Sequence, residues 1–396
     1  MNSLLELKTP CFIINEKKLK NNIVSFIAAL NGTFNEGIVG YSVKTNSLPF
    51  LLNKALEFGC YAEVVSADEF RLAKKIGFPI NKIIYNGPMK NKETFIEAIE
   101  GGAIVNIENF REIGWLKNAN NLCDYNLGLR ININYELIGV SDEPHAYSRF
   151  GFSYENGDVK RAMNLIEEYG FLVNGLHVHR TSASRKLQIY NRIASYVSNI
   201  VKELKVNLRY IDFGGGYFGD MPGKPNYSDY ANTIKQNLDI NIDQLTVIVE
   251  PGNGLIASPI DYVFSILDTK EIKGKLICSS NATRLDVDPF FHKTTYSYEV
   301  LTDGEASTKE KCQIITGATC LENDVLFKMY DSRKLLEGDK IKLECVGAYT
   351  MALTPNFINY LPIVYGTKDG HNYQVVRDKW QPEIIMMNSY LEDCDE

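Results

Sequence analysis

Short apolar runs alternate with stretches of helical spacing from residue 17 to residue 259, and this alternation limits the possible folds most strongly. In the stretch 16–30, for example, Leu19, Ile23 and Phe26 recur at intervals of three or four residues. Short β-branched strands separated by helices are typical of parallel strands with crossover connections. The strand candidates are 38–43, 61–65, 82–85, 103–107, 125–133, 172–178, 208–213 and 245–249.

Eight such strands predict a (β/α)8 barrel over 17–259, because a barrel of this kind usually has about 250 residues. A doubly wound open sheet is the alternative. After Pro259 the pattern changes, since the strand candidates are now separated by loops rather than helices. This second part predicts an antiparallel β domain, whose strand candidates are 260–267, 275–279, 295–301, 313–316 and 340–346.

Composition excludes several classes of protein. The net charge of −7 argues against a nucleic-acid partner, which usually selects a basic surface. Apolar runs stay shorter than the ~18 residues of a membrane span, and the first ten residues lack the layout of a signal peptide. The eight cysteines form no C-x-x-C pair and the five histidines are scattered, so we expect no metal site. Reduced thiols in a cytoplasmic protein are the expectation.

In a barrel, catalytic groups lie at the C-terminal ends of the strands. The first predicted strand ends at Lys44, the sixth at the pair His177 and His179, and the eighth at Glu250. The seventh runs into three glycines, 214–216. Each feature alone also fits an ordinary structural role: a surface lysine, a core histidine pair, a tight turn and a surface glutamate.

Together the four strand ends offer an amine, an imidazole ring, a glycine loop and a carboxylate. Pyridoxal phosphate (PLP) can use all of them. Its aldehyde condenses with a lysine, glycine N–H groups can donate to its phosphate, and an acid can hold its pyridine nitrogen protonated.

A resemblance makes this specific. The chain resembles the fold-type III, group-IV decarboxylases, the family of diaminopimelate, ornithine and carboxynorspermidine decarboxylases, over nearly its whole length. The family's motifs occur in order, as Y-S-V-K-T-N at 41–46, E-V-V-S at 63–66, L-R-I-N at 129–132, S-R-F-G at 148–151, G-L-H-V-H at 175–179, G-G-G at 214–216, E-P-G at 250–252, C-L-E-N-D at 320–324 and G-A-Y at 347–349.

The resemblance implies an alanine-racemase-like barrel, with residues 1–16 joining 260–396 in the β domain. It also implies a homodimer, in which Cys320 reaches the active site of the partner subunit and assists protonation at Cα. The cofactor would be held by Lys44, by the stacking ring of His179, by Glu250 on the pyridine nitrogen, and by Ser182, Gly214, Gly215, Gly216, Gly252 and Tyr349. The substrate would meet Arg130, Arg149, Leu321, Glu322 and Asp324.

The departures from the family pattern concern the substrate end and one cofactor contact. Asn253 stands where E-P-G-R has its arginine, and Arg180 could compensate for it. Ser184-Arg185 follows closely in the sequence. The family's R-P segment reads Asp288-Pro289 here.

Leu321 replaces the acid that follows the cysteine in enzymes for free diamino acids, although Glu322 could substitute for it. We therefore predict a PLP-dependent decarboxylase of an amino acid or aminocarboxyalkyl substrate other than free diaminopimelate. Diaminopimelate or carboxynorspermidine decarboxylase proper, and a tailoring enzyme for a conjugated amino acid, are the alternatives.

Three further hypotheses remain open at this point. A racemase on the same barrel would need a tyrosine base opposite the lysine and no cysteine motif, so Cys320 argues against it. An inactive regulatory homologue would not need Lys44, His179 and Glu250 together. A barrel enzyme that binds some other phosphate would lack the cofactor's absorbance. The sequence does not identify the substrate.

Overall fold

The computed structural model describes residues 4–120, 124–140, 148–180, 184–219, 221–302, 308–387 and 389. These residues form two compact units. One comprises Lys20–Ile256, and the other combines the chain up to Leu19 with the chain from Ala257 onward.

Strands and helices alternate regularly in the larger unit and not in the smaller one. The strands are β1 (Cys11–Asn15), β2 (Glu36–Ser42), β3 (Tyr61–Val64), β4 (Ile83–Tyr85), β5 (Ile104–Ile107), β6 (Asn126–Asn132), β7 (Phe152–Ser153), β8 (Gly175–His177), β9 (Tyr210–Asp212), β10 (Thr246–Val249), β11 (Ile260–Ile272), β12 (Lys275–Ser280), β13 (Tyr298–Leu301), β14 (Lys309–Thr316), β15 (Val325–Arg333), β16 (Lys340–Leu343), β17 (Ile363–Thr367) and β18 (Gln374–Arg377). The helices are α1 (Glu16–Asn31), α2 (Pro49–Glu57), α3 (Ala67–Ile76), α4 (Lys92–Glu100), α5 (Phe110–Ile113), α6 (Asp158–Glu168), α7 (Leu187–Leu204), α8 (Tyr227–Asn237), α9 (Asn253–Ile256), α10 (Arg284–Val287) and α11 (Pro382–Met386).

The larger unit is a closed barrel of eight parallel strands, in the order β2-β3-β4-β5-β6-β8-β9-β10. The pairing of β10 with β2 closes the circle, and Ile248 lies opposite Ile38 there. The short β7 adds to β6 outside the circle. This closure confirms the predicted barrel and excludes the open sheet. All eight predicted strands are present, with ends shifted by no more than three residues.

Local sequence explains why these elements form. The helix α7 has buried residues at 189, 190, 193, 194, 197, 198 and 200, which is the spacing of one helical face. Helix α3 starts at Ser66, whose side chain accepts the N–H of Glu69, and ends at Gly77 with φ of +114°. Such caps satisfy backbone groups that a helix end leaves unpaired. They fix where each barrel loop begins.

The smaller unit is a mainly antiparallel sheet, as predicted, but two of its pairings are parallel. Strand β1 runs antiparallel to β11 and parallel to β17, and β12 runs parallel to β14. The predicted antiparallel β domain is therefore confirmed, and these two parallel pairings are an addition to it. The barrel segment lies between β1 and β11 in the sequence, so β1 pairs with strands that follow it by more than 240 residues.

Two further features concern the described part of the chain. None of its helices is long and apolar enough to cross a bilayer. The cysteines at 11, 60, 278, 312, 320 and 345 are free thiols.

Candidate active site

The predicted lysine lies in a one-turn 3-10 helix, Val43–Thr45, directly after β2 rather than in the strand itself. Its Nζ lies 2.6 Å from Oε2 of Glu63, a buried residue of β3. Ser42 Oγ donates to the same carboxylate oxygen over 2.6 Å. Glu63 therefore anchors the amine from the neighbouring strand, while about a third of the Lys44 side chain remains exposed.

His179 follows β8, and its ring has a fixed orientation. The N–H of Gly215 donates to Nδ1 of His179 over 3.0 Å. In the neutral imidazole Nδ1 is then the acceptor, so the ring proton belongs on Nε2. Arg130 Nη2 donates to the backbone carbonyl of His179 over 3.0 Å. The ring is thus held both through its own nitrogen and through its backbone.

Glu250 lies at the end of β10 and is 2% exposed. Its Oε2 lies 3.5 Å from His179 Nδ1 and 3.6 Å from His177 Nε2. The amide of Asn86 donates to its other oxygen in a very short hydrogen bond. The same amide donates to Oε1 of Glu63 over 3.3 Å. Asn86 therefore links the acid at one side of the pocket to the carboxylate that holds Lys44.

Asp212 and Glu250 form a coupled pair of buried carboxyls. Burial raises the pKa of Asp212 well above its usual range, and the Glu250 charge raises it further. Burial alone would also raise the pKa of Glu250, but the groups around it outweigh that and hold it well below its usual range. We infer that Asp212 carries the proton and that Glu250 is the ionised member of the pair.

Burial lowers the pKa of His177 to about 4, even though Glu250 acts to raise it. His177 is therefore neutral at pH 7. The amide of Asn86 donates to the Glu250 carboxylate, and the proton assigned to Asp212 can do the same, so hydrogen bonds favour the ionised form of Glu250 without a charged His177.

The glycine run is needed for close packing. A Cβ at Gly214 would lie 2.4 Å from His179 Nδ1, and one at Gly215 would lie 2.7 Å from the carbonyl oxygen of Glu250. Two of the three N–H groups are already used, since Gly214 donates to Asp212 Oδ1 and Gly215 to His179. The sequence predicted N–H groups aimed at a phosphate. Within the described residues, only the Gly216 N–H of this run is not engaged.

A second charged network supports the pocket from β5 and β6. Arg130 Nη1 donates to Oε1 of Glu108 over 2.8 Å, and both side chains are at least 90% buried. Burial raises the pKa of Glu108, and Arg130 opposes that effect. Arg149 lies at the pocket wall, with its guanidinium 4.9 Å from the ring centre of Phe150. The guanidinium of Arg130 is thus engaged by other groups of the protein. Arg149, by contrast, is exposed.

One cavity of about 590 Å³ is lined by residues that include Lys44, Glu63, Asn86, Arg130, Arg149, His177, His179 and Glu250. Three buried polar atoms in and around it, namely Thr45 Oγ1 and both ring nitrogens of His177, have no hydrogen-bond partner among the described residues. A Cβ at Gly252 would lie 2.3 Å from Thr45 Oγ1, so backbone and side chain meet closely there. An amine, a buried carboxylate, an oriented imidazole and unpaired polar atoms fit a cofactor with an aldehyde, a ring nitrogen and polar substituents.

One ligand atom each from His177, His179 and Glu250 lies within 4.8 Å of the other two, which is also a spacing that a metal ion could use. All three line the same cavity as Lys44.

The remaining predicted site residues belong to the smaller unit or lie outside the described part. Cys320, Leu321, Glu322 and Tyr349 have exposed side chains, and Tyr349 has a φ of +57°. Ser182 lies outside the described residues.

Asp324 is 2% exposed, and its carboxylate stays within its own unit. It accepts hydrogen bonds from the N–H of Arg284 over 2.8 Å and from Thr319 Oγ1 over 2.6 Å. These contacts give Asp324 a role in shaping the loop that carries Cys320.

Sequence reasoning missed Asn86, Asn106 and Asp212. Asn86 follows β4, and Asn106 lies in β5 and donates to Oδ1 of Asn86 over 2.8 Å. Their signal was available, because each is a polar residue within or directly after an apolar strand, where burial demands a partner.

The comparisons with known proteins agree with this site. Residues 20–257 match the family model described as pyridoxal-dependent decarboxylase, pyridoxal binding domain. A probable chloroplastic diaminopimelate decarboxylase of Oryza sativa subsp. japonica is 26% identical over 390 residues, covering 93% of this chain and 77% of its own. The diaminopimelate decarboxylase of Helicobacter pylori strain J99 is 24% identical, with 95% and 96% covered.

Solved structures show the same fold. The diaminopimelate decarboxylase of M. jannaschii in complex with L-lysine superposes with a TM-score of 0.81 at 23% identity, covering 97% of this chain and 92% of that one. The lysine/ornithine decarboxylase of Vibrio vulnificus with putrescine gives 0.72 at 20% identity, with 88% and 91% covered.

The fold is a parallel barrel with a lysine at a strand end, beside a cavity that fits a cofactor. The family model covers more than half of the chain, so the chain belongs to the pyridoxal-dependent decarboxylases. It is a carboxy-lyase that acts on an amino acid with PLP as its cofactor.

Proposed function

We propose that this decarboxylase acts on an amino acid whose distal end is alkylated, acylated or carried on another molecule, rather than on free diaminopimelate. The observation that carries the proposal is Leu321. Its side chain is 39% exposed on the loop that also carries Cys320, at the position where the resemblance places an acid for the substrate's distal ammonium. Placing an ammonium beside leucine leaves it desolvated without a partner, which costs several kcal/mol.

A second departure supports the same proposal. Asp288 stands in place of the arginine of the R-P segment, and it accepts two hydrogen bonds from Arg284, at 3.1 Å from Nε and 2.8 Å from Nη2. The N–H of Lys293 donates to the same oxygen over 2.8 Å. The carboxylate of Asp288 is thus engaged within its own segment. An acid at this position would repel a distal substrate carboxylate.

The cavity residues have the following proposed roles. When bound, PLP supplies an electron sink for the bond to the departing carboxylate. Lys44 would bind the cofactor covalently, His179 would lie against its ring, and Glu250 would keep its pyridine nitrogen protonated. The exposed guanidinium of Arg149 offers a contact for a substrate anion. Cys320 protonates the substrate at Cα from the partner subunit of a homodimer.

Free diaminopimelate is the second candidate substrate, and the names of the relatives favour it. The rice and Helicobacter pylori proteins are both named diaminopimelate decarboxylases, although each is only about a quarter identical to this chain. Glu322, exposed beside Leu321, is the residue that could pair with a distal ammonium in that case.

The test compares substrates and one gain-of-function variant. CO2 release is measured with diaminopimelate, ornithine, lysine, carboxynorspermidine and acylated or conjugated analogues, at saturating PLP. We expect kcat/KM for the free diamino acids to be about a hundredfold lower than for carboxynorspermidine or the acylated and conjugated analogues, which corresponds to ~3 kcal/mol. Leu321→Glu should raise kcat/KM for the free diamino acids at least about tenfold, and the uncharged control Leu321→Gln should not.

Efficient turnover of diaminopimelate by the unaltered protein, near ~10⁴ M⁻¹s⁻¹, would overturn the substrate proposal in favour of the second candidate. Retention of the carboxyl group with inversion at Cα would point to a racemase instead.

A further inference from the structure

The phosphate of the cofactor needs donors that the glycine run does not supply. The N–H groups of Gly214 and Gly215 already donate hydrogen bonds to Asp212 and His179. A phosphate monoester carries close to two negative charges at pH 7, and a site for it normally includes a cation or several converging N–H groups. Because two of the three N–H groups of the run are engaged, a cationic side chain near the run is the contact that would complete such a site.

Arg185 is held at this place by two contacts. With its amide oxygen turned toward the guanidinium, Asn253 accepts from Nη1 over 2.8 Å and from Nη2 over 3.1 Å. Only this orientation is chemically possible, because a guanidinium has donors and no acceptor. The guanidinium also lies 5.2 Å from the ring centre of Phe218, two residues after Gly216. Arg185 thus contacts both the segment after the glycine run and the residue after Gly252.

The backbone around Arg185 fixes it further. Its φ of +50° is in the left-handed region, which costs a non-glycine residue free energy and implies that the surroundings hold it there. Its carbonyl accepts the hydroxyl of Tyr230 over 2.8 Å, and that hydroxyl oxygen accepts the N–H of Phe218 over 3.3 Å. Asn253 is neutral, so it orients the guanidinium without cancelling its charge.

Arg180, the other arginine in this loop, lines the Lys44 cavity but has its described contacts on the β6 side. Its guanidinium lies 4.0 Å from the ring centre of Tyr135 and donates to the carbonyl of Ile133, beyond the end of β6. Neither of these partners belongs to the glycine run or to the 250–253 turn. The sequence offered Arg180 as the compensating arginine, whereas these contacts favour Arg185.

We propose that Arg185 supplies the positive charge that binds the phosphate of PLP, and that Asn253 is its positioning residue. The arginine is contributed by the loop after β8, and the turn after β10 contributes the amide that holds it. This assignment depends on PLP as the cofactor and not on which amino acid is decarboxylated.

The test compares two ligands of the cofactor-free protein that differ only in the phosphate. Dissociation constants for PLP and for pyridoxal are measured by absorbance titration, without any substrate. Arg185→Gln should weaken PLP binding by about 10- to 100-fold, the usual range for a charge-assisted contact, and leave pyridoxal binding within about twofold. Asn253→Ala should weaken PLP binding by a smaller factor with the same selectivity.

Two controls locate the effect. Arg180→Gln should leave the ratio of the two dissociation constants unchanged, as should Arg209→Gln, a half-exposed arginine that pairs with Asp124. An unchanged ratio in both Arg185→Gln and Asn253→Ala would overturn the proposal, and so would an Arg180→Gln variant that loses PLP selectively. Should Arg185→Gln fail to fold, Asn253→Ala alone decides. Because no CO2 is measured, the result is independent of the substrate proposal.

Discussion

Nζ of Lys44 and Oε2 of Glu63 lie 2.6 Å apart, and the Glu63 side chain is 1% exposed while the Lys44 side chain is 34% exposed. The buried carboxylate thus holds the amine from one side, while part of the lysine side chain remains accessible. Ser42 and Asn86 also donate to Glu63, so the carboxylate itself has a fixed orientation. The position of the amine follows from three neighbouring strand ends.

The first prediction follows from this ion pair. Glu63→Gln keeps the shape of the side chain but replaces a charge-assisted hydrogen bond by a neutral one, which is about half as strong. We expect kcat to fall by about tenfold, the equivalent of ~1.4 kcal/mol. The control is Glu97→Gln, which removes the partner of Lys74 in a more exposed ion pair. Equal rates in the two variants would show that the pair does not align Lys44.

The second prediction concerns the coupled carboxyls. Glu250→Gln should retain PLP but lose decarboxylation by at least about a hundredfold, because the ring nitrogen loses its anionic partner. Asp212→Asn should keep most of the rate, since the structure assigns the proton to Asp212 and an amide also donates. Asp212→Leu removes the donor and should be impaired. Steady-state kinetics and bound-cofactor absorbance measure both effects; near-normal turnover in Glu250→Gln contradicts the assignment.

The third prediction is a pH dependence of stability in the smaller unit. Burial raises the pKa of Asp286 to about 7, although the Tyr262 hydroxyl that donates to it acts to lower it. The folded state then binds a proton that the unfolded state releases near pH 4, so stability falls as pH rises from about 4 to 7. The fall is about 1.4 kcal/mol per pH unit at most.

Asp286→Asn has no such group, so its melting temperature relative to the unaltered protein should increase between pH 4 and 7 and level off above. Scanning calorimetry at each pH measures the difference, and all other titrating groups cancel. Parallel pH profiles for the two proteins would mean that Asp286 does not titrate in this range.

The fourth prediction tests the shared active site. Lys44→Ala and Cys320→Ala proteins should each be nearly inactive. If the partner subunit supplies Cys320, a mixture that exchanges subunits should regain up to about a quarter of the normal activity, because one hybrid site has both residues. Native mass spectrometry verifies the exchange. Absence of recovery in a verified hybrid would place Lys44 and Cys320 in the same subunit's site.

The periodic part of the fold was predictable from the sequence, and the nonlocal part was not. The eight barrel strands were found because each apolar run is bounded by a helix, a purely local pattern. The strands β1, β15, β17 and β18 were missed. Strand β1 has only five residues and pairs with strands far along the chain, so no local pattern identifies its partners.

The candidate site likewise has a part that local sequence predicts and a part that depends on nonlocal contacts. Lys44, His179 and Glu250 were predicted because each follows an apolar strand and because the family's motifs surround them. The Asn86 bridge was missed, since its two carboxylate partners lie 23 and 164 residues away. The contact of Arg185 with Asn253 could not be predicted, because it depends on how two loops meet.

The most direct test of the account is to find which lysine carries the cofactor. The PLP-loaded protein is reduced with borohydride and digested, and the peptides are mapped by mass spectrometry. The account predicts the added cofactor mass on the peptide that contains Lys44, loss of the visible absorbance band, and no label in Lys44→Arg. A label on another lysine, such as the buried Lys90, or no label at saturating PLP would contradict it.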